Sequence, residues 1–155
     1  MELSDLLAPE RVIAGLAVAN KPALLAELGR RAGALLGLPR EPITEALQGR
    51  EQLGSTGLGK GFALPHARIE GLDKFIGMFV RLVRPIAFDA IDDQPVSTVF
   101  LLLTPATASP GAHLAALAAI SRRMSDPEVA RRLAAAKSAA QMFAALAGSN
   151  GQRAA

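Results

Sequence analysis

The sequence predicts a single α/β domain in which helices cover both faces of a β-sheet. Segments with helical periodicity alternate with short apolar segments along the chain, as in a sheet packed between helix layers. Two segments, Phe75–Val83 and Val96–Leu103, are almost continuously apolar, as expected of strands buried on both faces. The chain has 155 residues, 50% of them hydrophobic and 20% charged, which suits one domain with a substantial core.

Two helices dominate the N-terminal half of the predicted fold. From residue 21 to residue 36 the apolar side chains repeat with helical spacing, Pro22 suits a first helical turn, and Gly37 follows the last apolar residue. The predicted elements of this half are, in order, a helical turn at Ser4–Leu7, a strand at Arg11–Leu16, and helices at Lys21–Leu36 and Glu41–Glu51.

Strands and then helices complete the domain. The predicted elements are strands at Phe62–Leu64, Phe75–Val83 and Val96–Leu103, followed by helices at about Ala112–Met124, Pro127–Ala135 and Ala139–Ala147. Pro65 ends the first of these strands and Arg84–Pro85 the second, while Asp126–Pro127 is an N-cap followed by a first-turn proline. The domain is expected to span residues 1–147. Residues 148–155 lack apolar periodicity and are expected to form a flexible tail.

The counts of cysteine and histidine exclude several kinds of site. The chain has no cysteine, which excludes disulfides, a thiol nucleophile and thiolate zinc sites. Its two histidines, His66 and His113, are too few for a three-histidine metal site. We expect neither a metal nor another cofactor.

Charge and hydropathy predict a cytoplasmic protein that neither binds nucleic acid nor inserts directly into a membrane. Met1–Asp5 is acidic where a signal peptide needs a basic segment, and no apolar run approaches the ~18 residues of a membrane span. The net charge is +3 and the six Phe are the only aromatic residues, which is a weak basis for binding nucleic acid.

The most unusual segment is rich in glycine and leads to a histidine. Four glycines fall within residues 54–61, which predicts neither a helix nor an ordinary strand, and their backbone N–H groups could approach an anion closely. Lys60 is followed by Gly61 instead of Ser or Thr, so the segment is not a Walker A loop. Pro65 restricts Leu64 to extended conformations, which places His66 at a strand end with a sharp exit from the sheet. There it could be a nucleophile or general base, or a structural histidine beside a turn.

Three further candidates have a functional and a structural interpretation each. His113 falls in the first turn of a predicted helix, where free N–H groups favour an anion, or it is an exposed polar residue. Arg50 precedes the glycine-rich segment and could contact a phosphoryl group, or it is a solvated helix-end residue. Ser55 and Thr56 offer two hydroxyl donors, or they are turn residues.

Together these residues resemble the signature of the mannitol/fructose-type enzyme IIA domains of the bacterial phosphotransferase system. The resemblance extends from about Leu6 to Leu146 and is closest to the nitrogen-regulatory (IIA-Ntr) branch. It rests on the following segments: Arg50-Glu51-x-x-Gly54-Ser55-Thr56-Gly57-x-Gly59-x-Gly61-x-Ala63-x-Pro65-His66, Arg84–Val96, Val99–Leu103 and His113-Leu114-x-x-Leu117.

The resemblance implies a mixed sheet flanked by helices on both faces and a role for each site residue. It implies that His66 is the phosphoryl acceptor, that His113 is a second active-site histidine across a shallow pocket, and that Arg50 contacts the phosphoryl group. Transfer between histidines needs a neutral nucleophile held in one tautomer and donors for the phosphoryl oxygens. The expected donors, besides Arg50, form a phosphoryl-binding loop: Ser55, Thr56, Gly57, Gly59 and Gly61. Residues 108–112 lack the acidic or amide side chain that relatives often carry before His113.

The expected function is a phosphorelay protein that is not a classical turnover enzyme. An HPr-like (NPr) phosphocarrier would dock on a small surface near Leu58, Phe62 and Ile69. The output would be regulatory, of the nitrogen, potassium or carbon metabolism type, through contacts with proteins such as sensor kinases or potassium-transport components. One alternative is sugar uptake, in which the chain passes phosphate to a transporter subunit. Alternatives of other classes are a non-catalytic binding module and a hydrolase with His66 as its base.

Overall fold

The computed structural model describes residues 1–148, and the predicted tail from residue 149 onward lies outside them. Within the described range the chain begins with two 3₁₀ turns, at Leu3–Asp5 and Pro9–Arg11. The strands are β1 Val12–Leu16, β2 Gly57–Gly59, β3 Phe62–Ala63, β4 His66–Ile69, β5 Ile76–Ile86 and β6 Val96–Pro105. The helices are α1 Lys21–Leu36, α2 Arg40–Gln52, α3 Pro110–Ser125, α4 Pro127–Ala135 and α5 Ala139–Ala147.

The strands form one mixed sheet in the order β1-β5-β6-β3-β2. The two longest strands, β5 and β6, pair antiparallel at its centre, and β1 runs parallel to β5. Both β3 and β4 run parallel to β6 on the same side, so they are two consecutive strand segments separated by Leu64 and Pro65. Proline has no N–H for the ladder, but its carbonyl still accepts from the Leu102 amide at 3.0 Å.

Helices cover both faces of this sheet, as the sequence predicts. Side chains of a strand alternate between the faces, so Leu101 and Leu103 pack under α1 and α2, whereas Phe100 and Leu102 pack under α3, α4 and α5. The N-terminal 3₁₀ turn joins the second core through Leu3 and its neighbours. Among the described residues the longest helices have 16 residues, and none is both long and apolar enough to cross a bilayer.

Local capping signals account for the helix limits. Asn20, Ser109, Asp126 and Ser138 each accept a hydrogen bond from a first-turn amide through their side chains. Gly37 ends α1 with φ +70°. The predicted limits of α1, α4 and α5 are confirmed, and α2 and α3 are one or two residues longer than predicted at their ends.

Three predictions about strands are wrong. The strand β4 was not predicted. Strand β5 does not end at Arg84–Pro85 but continues to Ile86. The pairing with β6 is irregular between Arg81 and Ile86, so Pro85 needs no hydrogen bond to the neighbouring strand. Part of the glycine-rich segment forms β2, which pairs antiparallel with β3. A Cβ on Gly57 would lie 2.8 Å from Cβ of Ala90, so only glycine lets this strand approach the chain at Ala90 so closely.

Candidate functional site: a histidine pair at the sheet edge

The two histidines of the chain lie side by side. His66 is the first residue of β4, and His113 is in the first turn of α3. Their ring centroids are 5.6 Å apart, with the ring planes inclined at 52°. Ala67 and Ile69 belong to the core under α1 and α2, so His66 faces the other side of the sheet, where α3 lies. The predicted proximity of the rings is confirmed.

The chain does not leave the sheet at His66, contrary to the predicted sharp exit. The Leu64–Pro65 interruption shifts the chain only briefly, and β4 resumes pairing with β6 at His66 and Leu102. The interruption has a consequence for the ring, because the Leu64 carbonyl lies 2.8 Å from Nδ1 of His66. A carbonyl only accepts hydrogen bonds, so Nδ1 carries the ring proton and Nε2 keeps a lone pair.

Arg50 donates a hydrogen bond to Nε2, the ring nitrogen of His66 that has the lone pair. Its Nε donates to Nε2 of His66 at 3.3 Å, and its Nη1 donates to the Gly54 carbonyl at 2.9 Å. Burial is the main cause of the lowered pKa of His66, and the Arg50 guanidinium lowers that pKa further. The Leu64 carbonyl and Glu51 act in the opposite direction. The ring is therefore neutral near pH 7, as a nitrogen nucleophile requires.

Glu51 anchors the segment beneath Arg50, a role that the sequence analysis missed. Its buried carboxylate pairs with Lys21 Nζ at 2.9 Å and accepts from the amide and hydroxyl of Thr56. Lys21 in turn lies 4.4 Å from the centre of the Phe88 ring. The position of Glu51 next to Arg50 in the sequence indicates that it lies near the site. Its partners could not be predicted, because they come from α1 and from the loop after α2.

Thr104 fixes the second histidine. Its side chain is fully buried, and its Oγ1 lies 2.9 Å from Nδ1 of His113, which is its only side-chain partner among residues 1–148. A buried hydroxyl proton needs an acceptor, so Thr104 donates to Nδ1 and the ring proton of neutral His113 resides on Nε2. Burial, then the neighbouring His66 and Arg68, lower the pKa of His113. The signal in the sequence was a hydroxyl residue that ends an apolar strand.

The predicted free amides beside His113 are largely paired. The His113 amide donates to the Ser109 carbonyl at 3.1 Å, and the Ala112 amide donates to Oγ of Ser109 at 3.1 Å. Pro110 has no N–H to offer. The start of α3 therefore contributes the His113 ring to the site, and few free backbone N–H groups.

Part of the predicted phosphoryl-binding loop lies away from His66. Phe62 pairs with Thr98 whereas His66 pairs with Leu102, so the turn with Gly59 and Gly61 lies roughly 13 Å away along β6. The remaining predicted donors serve the loop itself, in the following contacts: Gly57 N–H to Ser55 Oγ at 3.0 Å, Ser55 Oγ to the Phe88 carbonyl at 2.7 Å, and Thr56 Oγ1 to Glu51. The segment shapes the sheet edge and orients Glu51.

A second arginine that the sequence analysis missed lies beside the histidines. Arg68 follows His66 by two residues on the same strand, which places both side chains on the same face. Its Nη1 donates to the Ala108 carbonyl at 2.8 Å, in the loop that precedes α3. Arg50 and Arg68 make the surroundings of the histidine pair cationic, which suits a phosphoryl group. Among residues 1–148 no group of three or more His, Asp or Glu side chains is placed to hold a metal ion.

Comparison with known proteins gives the family to which this chain belongs. Residues 5–148 match the model of the phosphoenolpyruvate-dependent sugar phosphotransferase system, EIIA 2. The chain belongs to this enzyme IIA family.

The similar proteins include nitrogen regulatory proteins. The chain is 42% identical to the nitrogen regulatory protein of Bradyrhizobium diazoefficiens over 95% of both chains. The crystal structure of the nitrogen regulatory protein IIA-Ntr from Neisseria meningitidis superposes with a TM-score of 0.85 and is 34% identical, covering 93% of this chain and 98% of that one. The enzyme IIA-Mtl of Escherichia coli, solved in complex with phosphorylated enzyme IIB-Mtl, shares the fold at a TM-score of 0.74 and 21% identity, over 92% of this chain and 98% of that one.

Proposed function

We propose that Nε2 of His66 accepts a phosphoryl group from a phosphorylated HPr-like carrier, and that the phosphorylation state of the chain regulates other proteins. The observation that supports this most directly is the hydrogen bond from Nδ1 of His66 to the Leu64 carbonyl. It leaves Nε2 as the nucleophilic nitrogen, between the Arg50 guanidinium and the second imidazole.

The transfer balances without a metal or an activated water. The lone pair of Nε2 attacks phosphorus, the N–P bond in the carrier's phosphohistidine breaks, and the carrier imidazole leaves with that electron pair. The proton on Nδ1 of His66 stays on that nitrogen throughout, hydrogen-bonded to the Leu64 carbonyl. The reaction therefore needs an in-line approach and charge stabilisation, and no proton has to cross the site.

Three side chains are placed to stabilise the phosphoryl oxygens. Arg50 gives up its hydrogen bond to Nε2 when that nitrogen is phosphorylated, while its bond to Gly54 keeps it nearby. The Nε2–H of His113, oriented through Thr104, donates from the facing ring. Arg68 adds a second positive charge near the pair.

The carrier would dock on exposed leucines next to the site. Leu53 follows Arg50 at the end of α2 and is 84% exposed, and Leu114 follows His113 and is 63% exposed. The predicted contribution of Ile69 is wrong because its side chain is buried in the core. Leu58 and Phe62, also predicted, border a cleft at the other end of the α3 face.

A regulatory output is favoured over sugar uptake by the relatives with the higher sequence identity, 42% for the protein from Bradyrhizobium against 21% for IIA-Mtl. The relative from Bradyrhizobium carries the name nitrogen regulatory protein, whereas IIA-Mtl shows the fold alone. We propose contacts with downstream proteins, such as sensor kinases or potassium-transport components, as the output. The sugar-uptake alternative requires onward transfer to an enzyme IIB domain.

Intact mass spectrometry tests the proposal. Incubation with phosphoenolpyruvate, enzyme I and an HPr-type carrier should add one acid-labile phosphoryl group, and His66→Ala should take up none while His113→Ala still takes one, more slowly. Full labelling of a folded His66→Ala protein would disprove the assignment. Rapid transfer from the phosphorylated chain to a mannitol-type or fructose-type enzyme IIB would favour the sugar-uptake alternative.

A further inference from the structure

A cleft of about 680 Å³ lies on the α3–α5 face, away from the histidine pair. The β2–β3 hairpin, strands β5 and β6, the end of α3 and helix α4 surround it. Ser121 and Ser125 line it, and they follow His113 by roughly 12 and 18 Å along the axis of α3. The volume is within the range of small-molecule sites in proteins.

Apolar side chains form much of the wall of the cleft. Phe62 lies on the hairpin side, Phe79 and Met142 form the buried floor, and Met124 and Leu133 face them from the helices. Met and Phe side chains adapt to, and stack on, the apolar body of a ligand. The wall therefore suits a hydrocarbon or ring of modest size.

The charged groups of the wall are all cationic. Arg81 and Lys60 line the cleft, and none of the lining residues is acidic. The Nη1 of Arg81 donates to the carbonyls of Leu133 and Ala136 at 3.1 and 2.9 Å, and its Nε donates to Ala14 at 3.4 Å. These partners are neutral, and no carboxylate pairs with Arg81 within residues 1–148.

Lys60 lies at the opposite wall, in the hairpin turn. Asp92 accepts from its backbone amide at 2.9 Å, but no carboxylate forms an ion pair with its ammonium among the described residues. Ser97, Ser121 and Ser125 add hydroxyl groups to the lining of the cleft. A half-buried guanidinium and an exposed ammonium, neither of them in an ion pair among the described residues, favour an anionic ligand.

We propose that this cleft binds a small organic anion, with a carboxylate head between Arg81 and Lys60 and an apolar body against Phe62, Phe79 and Met124. The proposal does not depend on phosphorylation of His66, because the cleft shares no lining residue with the histidine site.

Titration of the full ¹⁵N-labelled chain with octanoate, followed by amide chemical shifts at low salt, tests the proposal. Octanoate should bind saturably, with the largest shifts at residues 58–62, 97–98 and 121–134. Octan-1-ol, which has the same chain without the charge, should bind at least tenfold more weakly. Equal affinity for the two probes, no saturable binding of octanoate at millimolar concentration, or shifts centred on His66 would overturn the proposal.

Two variants separate charge from shape. Lys60→Asn removes the ammonium at a position with φ +56°, which Asn tolerates, and should weaken octanoate binding several-fold. The matched control, Lys74→Asn, removes a charge from an exposed position outside the cleft and should leave binding unchanged. Ala130→Trp fills the cleft from an exposed helix position and should abolish binding without unfolding the chain. Undiminished octanoate binding to Ala130→Trp would also overturn the proposal.

Discussion

At His66 a single backbone carbonyl decides which ring nitrogen can act as a nucleophile. Proline at position 65 keeps Leu64 extended, and the Leu64 carbonyl then binds Nδ1 of the histidine that follows. In the proposed transfer Arg50 would contribute in two ways. Its charge lowers the pKa of His66, which favours the neutral ring before transfer, and its Nε–H lies beside Nε2, where it would stabilise the phosphoryl oxygens.

Substitution of Arg50 should therefore affect the chemistry far more than the fold. Arg50→Ala should slow phosphorylation of His66 roughly 10²-fold, as the loss of one charge-stabilising donor does elsewhere. Its melting temperature should change by only a few degrees, since the side chain is partly exposed. Arg40→Ala, at the exposed start of the same helix, is the matched control and should transfer normally. Rapid-quench labelling and thermal unfolding measure the two effects, and a large loss of stability with normal transfer would contradict this role.

In the proposed reaction Thr104 would act through the tautomer of His113. Thr104→Val keeps the shape and removes the hydroxyl, so Nδ1 of His113 loses its donor and the ring no longer favours Nε2–H. Phosphorylation of His66 should slow by roughly tenfold, the rate equivalent of the ~1.4 kcal/mol that one hydrogen bond contributes. The ¹⁵N shifts of the imidazole nitrogens report the tautomer directly. Unchanged ¹⁵N shifts of His113 in the variant would contradict the assigned hydrogen bond.

At the scale of elements, glycine in the β2–β3 hairpin allows the chain to pack closely at the sheet edge. Gly57 packs against Ala90, where an added Cβ would lie 2.8 Å from Cβ and 2.9 Å from Cα of that residue. Because a backbone atom is one of the obstacles, the strand itself would have to move. The glycine-rich segment thus allows close packing at the sheet edge and, through Thr56, holds Glu51 beneath the histidine site.

Gly57→Ala should consequently destabilise the chain by overpacking, by about 1–3 kcal/mol. For a domain of this size that lowers the melting temperature by several degrees. Gly49→Ala is the matched control with the opposite sign, because its site in α2 is open and alanine favours a helix by about 1 kcal/mol. Calorimetry of the two variants checks the pair. A Gly57→Ala protein as stable as the parent would contradict the packing argument.

Helices with capping residues at their ends could be predicted from the sequence. Strands whose limits depend on pairing with another strand could not. The limits of α1 follow from Asn20 and Gly37, and those of α4 from Asp126–Pro127. Strand β4 has four residues and no local signal, since its pairing depends on β6. The same register carries the turn with Gly59 and Gly61 away from His66, a separation that the spacing along the sequence does not reveal.

At the scale of the whole molecule, the site forms where three elements meet at the sheet edge. The end of α2 supplies Arg50, the start of β4 supplies His66, and the start of α3 supplies His113. The sequence motif identified these three, whereas Thr104 and Arg68 required the pairing of β4 with β6 before their proximity could be recognised. Residues that belong to one sequence motif can be recognised from the sequence, whereas contacts between neighbouring strands can be recognised only from the fold.

The two histidines should also make the stability of the whole domain depend on pH. Burial is the main cause of the lowered pKa of both rings, relative to the 6.5 of an unperturbed histidine. Just below pH 6.5 the unfolded chain therefore binds more protons than the folded chain, so stability increases with pH in that window. The contribution is fully present above about pH 6.5 and is lost as the pH falls through the lowered folded values.

The urea midpoint should accordingly fall between about pH 7.5 and pH 5, and the double variant His66→Gln/His113→Gln should show a smaller fall over the same interval. Glu27 contributes little in this window, because its pKa of about 2 in the folded chain and its ordinary value of 4.5 both lie below pH 5. Phosphorylation of His66 should slow over the same interval, since protonation of Nε2 removes the lone pair that attacks phosphorus. An equal pH dependence of stability in the parent and the double variant would show that the histidines are not held neutral by the fold.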